Sequence, residues 1–339
     1  MNTIKAEVNK IILGLTSVGL VLLLMLPASL SADHFRYGTM SWTLVDNDTI
    51  TFNQSNGWTN TNTSYDQVSD FAVLPIAGFV GSVQSRYSIT WGDGTSNTDM
   101  HHIVTSRSDV SGSTETDMGV YSGGEWTLGL THDYADNGTF IVFWTKNDRE
   151  GVSNTDSGAT PLIWRNETMV RIGGDYVGNN SPVSSVPAIV YVQDNKTFTY
   201  QLNAGDRDGD NLTFRWGTIN EFFDADGTVS GGTAAFNMPT GMTLSTSGEI
   251  VWDIRDNVTC TGCSTNNDAV DNTTNSLWVA VIMVEDRLDN GTAKSYIPID
   301  FFFKVTSADN DPPSFTDFPF PAQQTVSVGS KKTFTIKST

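Results

Sequence analysis

The sequence predicts an all-β protein of tandem β-sandwich modules behind an N-terminal export signal. Three observations predict it. Short apolar–polar alternations replace any long helical periodicity. Clusters of Gly, Asn, Asp and Ser separate them. One short element recurs about a module length further along the chain.

The export signal comes first. Lys5 and Lys10 precede an apolar run over residues 11–26, and Pro27, Ala28, Ser29, Ser31 and Ala32 follow. A basic start, an apolar middle and a small-residue end make a signal peptide over residues 1–32, with cleavage expected after Ala32. An uncleaved anchor is the alternative, and the run is short against the ~20 residues that a membrane span needs. The chain carries a net charge of -19, or -20 without Lys5, Glu7 and Lys10. Such a surface repels nucleic acid and anionic lipid and draws divalent cations. Solubility alone is the simpler account of it.

Period-two alternation marks the strands of the body. Thr197 to Leu202 alternates, and so does Ile299 to Val305 through its Ile, Phe, Phe, Val face. Both read as half-buried antiparallel strands. Leu277 to Val284 is almost entirely apolar, as expected of a central strand covered on both faces. The opening stretch, from His34 to Trp42, also alternates and is expected to form the first strand, with Arg36 stacked on Trp42.

Two proline-bearing hinges, at 179–182 and 309–313, divide the chain into regions 33–175, 180–307 and 309–339. Proline there stiffens a linker and cannot continue a ladder. After the first hinge comes Lys196-Thr197-Phe198-Thr199, and after the second Lys332-Thr333-Phe334-Thr335, with the two Phe residues 136 positions apart. The third region holds about two strands, too few for a core. It is therefore expected to begin a truncated third module of a longer protein.

The cysteines, Cys260 and Cys263, lie in Cys-Thr-Gly-Cys among loop-forming residues. In an oxidising compartment they are expected to form a small loop disulfide. Sequons at Asn47, Asn53, Asn62, Asn137, Asn166, Asn195, Asn211, Asn257, Asn272 and Asn290 suit a glycosylated exterior.

The second region carries a recognisable order of motifs. Ala204-Gly205-Asp206-Arg207-Asp208-Gly209-Asp210-Asn211-Leu212-Thr213-Phe214 is followed by Met238-Pro239-Thr240-Gly241-Met242, then by Gly248-Glu249-Ile250-Val251-Trp252, then by Val279 to Asp286. Over residues 180–307 this resembles the dystroglycan-type cadherin-like domain, a seven-stranded sandwich that occurs in tandem on cell surfaces. Gly205, Phe214 and Met238 depart from the family pattern, and the loop of residues 253–276 is longer. Trp252 is expected in the core.

Asp206, Asp208 and Asp210 place three carboxylates within five residues. Hard oxygen ligands at alternate positions suit calcium, and a solvated Asp-Gly-Asp turn is the competing account. Glu285-Asp286-Arg287 and Asp309-Asn310-Asp311-Pro312 resemble cadherin calcium elements. The resemblance implies that Glu285, Asp286, Asp309 and Asp311 meet calcium at the following junction. It implies that Asp206 and Asp208 do so at the preceding one, beside Asn179 and Asn180. Calcium there would stiffen a string of modules into a rod.

The first region differs. Ile89-Thr90-Trp91-Gly92-Asp93-Gly94-Thr95 precedes Leu130-Thr131-His132-Asp133-Tyr134 and the Asn137-Gly138-Thr139-Phe140-Ile141-Val142 run. Residues 82–144 resemble the PKD family of extracellular sandwiches, so region 33–175 reads as a PKD-like module with an N-terminal extension. His132 and Tyr134 are expected to lock the sandwich edge.

No nucleophile elbow, metalloprotease helix or phosphate loop is present in the sequence. His101 and His102 are neighbours and would face opposite sides of a strand. The expected function is non-enzymatic: an extracellular adhesion or surface-structural protein, secreted or held at the cell surface. Its expected partners are other surface proteins or polysaccharide, with any membrane contact through the signal segment or a missing C-terminal anchor. The alternative is a carbohydrate-binding accessory region of a larger secreted hydrolase, with Trp58, Tyr121, Trp126 or Trp164 as stacking residues.

Overall fold

The protein is described here by a computed structural model covering residues 35–59, 87–108, 112–122, 125–146, 149, 164–193, 196–222, 241–254 and 277–306. Among these residues the chain is all-β. The one α-helical turn is α1 (Ile219–Phe222).

The first stretch folds into β1 (Phe35–Leu44), β2 (Thr49–Thr59), β3 (Tyr87–Thr90), β4 (Ser96–Ser108), β5 (Ser113–Ser122), β6 (Glu125–Leu128), β7 (Leu130–Asp133), β8 (Gly138–Lys146) and β9 (Trp164–Ile172). The second gives β10 (Val183–Ser184), β11 (Ile189–Gln193), β12 (Thr197–Gln201), β13 (Ala204–Gly205), β14 (Asn211–Trp216), β15 (Met242–Leu244), β16 (Glu249–Asp253), β17 (Leu277–Arg287) and β18 (Ala293–Thr306).

Each stretch feeds its own core. Strands of the first enclose Phe52, Trp91, Trp144 and Trp164. Strands of the second enclose Trp252, Trp278, Phe301 and Phe303, together with Tyr37 from β1. A small cluster of Met169, Met283 and Tyr296 joins β9 to β17 and β18. Trp252 is fully buried and meets Trp278 edge-on at 5.6 Å, as its core assignment required.

One strand binds the two stretches together. One edge of β18 pairs with β17 along the whole of that strand. Its other edge pairs with β9 at Tyr296, with β1 at Ile299 and Asp300, and with β11 from Phe302 to Thr306. A single 13-stranded sheet results, with a 3-stranded sheet of β12, β16 and β15 and a 2-stranded ribbon of β10 and β13 beside it.

This arrangement changes the reading of two segments. β17 is buried along nearly its full length, as its apolar run required. β18 was expected to be half-buried, but Asp300 and Phe302 are as buried as Ile299 and Phe301. Its alternation does not separate core from solvent, because both of its faces are covered. Arg36 and Trp42 do not stack either. At ~3.3 Å per residue the six intervening steps hold them ~20 Å apart. Arg36 instead donates to the Gly112 carbonyl at 2.9 Å and to Ser113 Oγ at 3.1 Å.

Asp300 has a specific reason to be inside. Arg149 grips it with both terminal nitrogens, and the two side chains are 0% and 1% exposed. The Arg149 guanidinium also lies 5.1 Å from the centre of the Phe35 ring. The pair thus crosses between the two stretches.

Asp300→Ala leaves the Arg149 charge buried without its counter-ion. We expect a loss of ~3–5 kcal/mol in unfolding free energy by urea titration. The apolar double variant Arg149→Met/Asp300→Leu is expected to regain most of it.

Candidate metal centre

The turn that follows β13 is built on Asp206. Its Oδ1 accepts the amide of Asp208 at 2.8 Å and of Asp210 at 3.0 Å, the local closure that Asp side chains favour in turns. Gly209 takes φ +82°, where a side chain would be strained. The turn gathers one carboxylate oxygen each from Asp206, Asp208 and Asp210 to within 4.8 Å of one another.

Each of the three is already engaged. Asp208 accepts the Asn180 amide at 2.6 Å and its Nδ2 at 2.8 Å. Lys294 donates to Asp210. Asp206 keeps Oδ2 buried with no hydrogen-bond partner. One residue before Asn180, Asn179 is 3% exposed, and its Oδ1 is also buried without a partner. Its Nδ2 donates to Asp286 Oδ2 at 2.8 Å.

Asp286 is fully buried and accepts the Ser295 amide and hydroxyl, both at 2.6 Å. Burial pushes its carboxyl up, and the bonds from Ser295 and Asn179 offset part of that rise. Glu285 points to the other face of β17 and forms a separate cluster. It accepts Arg215 Nε at 2.6 Å and a bond from Arg287, while Arg215 forks onto Glu221 at 2.6 and 2.8 Å. The structure therefore gathers the three turn aspartates, links Asp286 to them only through the successive linker residues Asn179 and Asn180, and places Glu285 apart. Asp309, Asp311, Cys260 and Cys263 lie outside the described residues.

The same segment ties the two stretches. Asn180 Oδ1 accepts the Leu44 amide at 3.0 Å. Ser181 Oγ accepts the Trp42 amide at 2.8 Å, and the Ser181 amide donates to the Trp42 carbonyl at 3.2 Å. Sequence reasoning picked out residues 179–182 as the joint but missed Lys294, whose role depends on a distant strand.

As a donor set, carboxylate and amide oxygens suit calcium, which takes ~6–8 oxygen ligands in flexible geometry. The three carboxylates of the turn fit such an ion, and Asp206 Oδ2 is buried without a partner. Lys294 is a competing cation that already neutralises part of the charge.

The Trp91–Thr95 turn is held by packing and hydrogen bonds. Gly92 takes φ +84°, and a Cβ there would meet the Ile141 backbone at 2.6 Å. His132 stacks on Trp91 with ring centres 4.7 Å apart and reaches Asp93 at 2.8 Å. Tyr134 donates to the Trp91 carbonyl at 3.0 Å. Partial desolvation acts to raise the Asp93 carboxyl, but bonds from the Thr95 hydroxyl, His132 and the Thr95 amide outweigh it and lower the pKa to about 2.

Two expectations are corrected by burial. Trp58 and Trp164 are 1% and 0% exposed, so neither can offer an open stacking platform. The physical reason is their position on the inner faces of β2 and β9. The side chains of Tyr121 and Trp126 lie outside the described residues. Among the sequons, Asn47, Asn53, Asn137, Asn211 and Asn290 are exposed, whereas Asn166 is fully buried and cannot carry a glycan in the folded chain.

No family model and no curated protein matches the chain. Among solved structures, it is similar to the two tandem V-type regions of VCBP3, a v-region-containing chitin binding protein. That match has 12% identity, covers 80% of this chain and 99% of that one, and has a TM-score of 0.33. It is also similar to the N-terminal Ig1-2 module of Drosophila receptor protein tyrosine phosphatase DLAR, with 9% identity, coverage of 77% and 91%, and a TM-score of 0.20. These identities and scores assign no family.

Asp93→Asn tests the turn. The lowered carboxyl contributes stability that is complete above its ordinary value of 3.8 and is lost as pH falls toward about 2. The variant is expected to melt a few degrees lower at neutral pH. It should also show a shallower fall in melting temperature across that acid window in a calorimetric pH series.

Proposed function

We propose that this chain is an extracellular adhesion or surface-structural protein that acts as a stiff spacer, with calcium reinforcing the joint at residues 179–181. The observation that carries the reading is the joint itself. Asn179, Asn180 and Ser181 are hydrogen-bonded forward to Asp286 and Asp208 and backward to Trp42 and Leu44. A linker held from both sides sets a fixed orientation, which is what a spacer or adhesive stalk requires.

The resemblance of residues 180–307 to dystroglycan-type cadherin-like domains, and of residues 82–144 to PKD domains, supports the same reading. Both families are extracellular sandwiches. The export signal expected over residues 1–32 and the net charge of -19 agree with a secreted or surface-held protein. Its partners in this reading are other surface proteins or polysaccharide.

Asp206, Asp208 and Asp210 would hold the ion, with the carbonyl oxygen of Asn179 at the linker. A bound calcium would supply charge neutralisation and cross-link the turn to the linker. Lys294 would hold the turn partly neutral without it, so the joint is expected to remain folded after chelation. No step of chemistry on a substrate is assigned to any residue.

The test is a melting series of the exported chain with millimolar calcium and with a chelator. The melting temperature is expected to rise by several degrees with calcium, and the rise should disappear in Asp206→Asn/Asp208→Asn. An unchanged melting curve for the parent protein would remove calcium from the account. Small-angle scattering addresses the spacer reading separately, and a single extended particle, with or without calcium, is the expected result.

A further inference from the structure

The inner core of the first stretch is divided along its length. One half is apolar, with Ile50, Phe52, Val142 and Val170. The other half holds carboxamides. Gln54 and Asn56 continue the inner face of β2 and are 2% and 0% exposed, and Asn166 on β9 is 0% exposed. Both amide atoms of all three are without a hydrogen-bond partner among the described residues.

These groups face one another. Asn56 is paired with Gly38 across β1 and β2, so the two share a face of the sheet. A Cβ on Gly38 would meet the Asn166 Nδ2 at 2.6 Å, so Asn166 sits directly over that position. Beyond Asn56 on the same row is Thr116, whose Oγ1 accepts the Trp58 indole at 3.0 Å. Indole rings pack beside this row, with Trp144 and Trp164 edge-on at 4.5 Å and Trp58 and Trp164 at 6.3 Å.

Unpaired buried carboxamides are strongly disfavoured, and native interiors satisfy nearly all of them with protein or with enclosed solvent. Three in one part of the core, each with a donor and an acceptor, form a cluster and not an isolated defect. The nearby charges, Arg149 and Asp300, neutralise each other. Among the described residues, His102 is also buried, at 1% exposed, and lies 5.4 Å from Trp144, ring to ring.

We infer that the polar half of this core is an enclosed binding site for a neutral hydroxyl-bearing ligand, held by Asn56, Asn166 and Gln54. The ligand has to offer and accept hydrogen bonds at once, and it carries no net charge. Ordered water and a small polyol share this chemistry. The burial of all three carboxamides means that the ligand is taken up as the chain folds or during an opening of the core. This site is separate from the aspartate turn and does not depend on the spacer reading.

Asn56→Leu and Asn166→Leu, made singly in the full chain, replace each carboxamide by an apolar group of similar shape. If hydroxyls occupy the site, each variant melts several degrees lower. A higher melting temperature in both would mean dry, unpaired carboxamides and would overturn the inference. A crystal structure of the parent chain gives a readout that does not depend on variant folding. Discrete density within hydrogen-bond distance of at least two of the three carboxamides supports the site. Carboxamides bonded to protein groups, with no such density, would overturn it. Mass spectrometry of an acid extract separates the sources: a polyol in stoichiometric amount identifies that ligand, and its absence beside discrete density identifies water.

Discussion

The structure depends on the second edge of β18. Three strands from different parts of the chain bond to it in succession: β9, β1 and β11. Backbone groups in a buried strand must be paired, so β18 cannot lose these partners without exposing a row of donors and acceptors to an apolar interior. The two cores are therefore coupled through main-chain bonds. The Arg149–Asp300 pair and the Ser181–Trp42 bonds add side-chain ties between the two stretches. A joint between modules built this way is a continuation of a sheet, with little of the freedom of a flexible linker.

Much of the fold was legible in the chain, because period-two patterning reports burial directly. β17 was readable from its apolar run and Trp252 from the strand around it. The turn at Gly209 was readable from Gly between Asp208 and Asp210. What sequence could not supply was pairing at a distance. Asp300 looks like a solvent-facing residue within an alternating strand until Arg149, 151 positions earlier, is placed against it. Trp58 and Trp164 look like candidates for a sugar platform until β2 and β9 are seen to turn them inward.

The candidate metal site shows the same division. Three aspartates in one tight turn are a local feature and could be named from the sequence. Lys294 is brought to that turn by strand pairing and Asn180 by the linker, and the bonds they donate to Asp210 and Asp208 decide how its charge is held. Glu285 and Asp286 are neighbours in the chain, yet the pleat sends them to different partners: two arginines on one face, Ser295 and Asn179 on the other. Adjacent acidic residues in a strand are thus poor evidence for a shared ligand, whereas the same residues in a turn are good evidence for closeness.

The parallel pairing of β11 with β18 has a mechanical consequence. Residues 189–193 lie alongside residues 302–306 in one register, near the two ends of the second stretch. Tension entering at one of these strands and leaving at the other would pull them past each other lengthwise. The bonds between them would then share the load and fail together, instead of opening one at a time like a zipper. In a protein under tension at a surface, this short ladder would act as the latch that sets the yield force of the second sandwich.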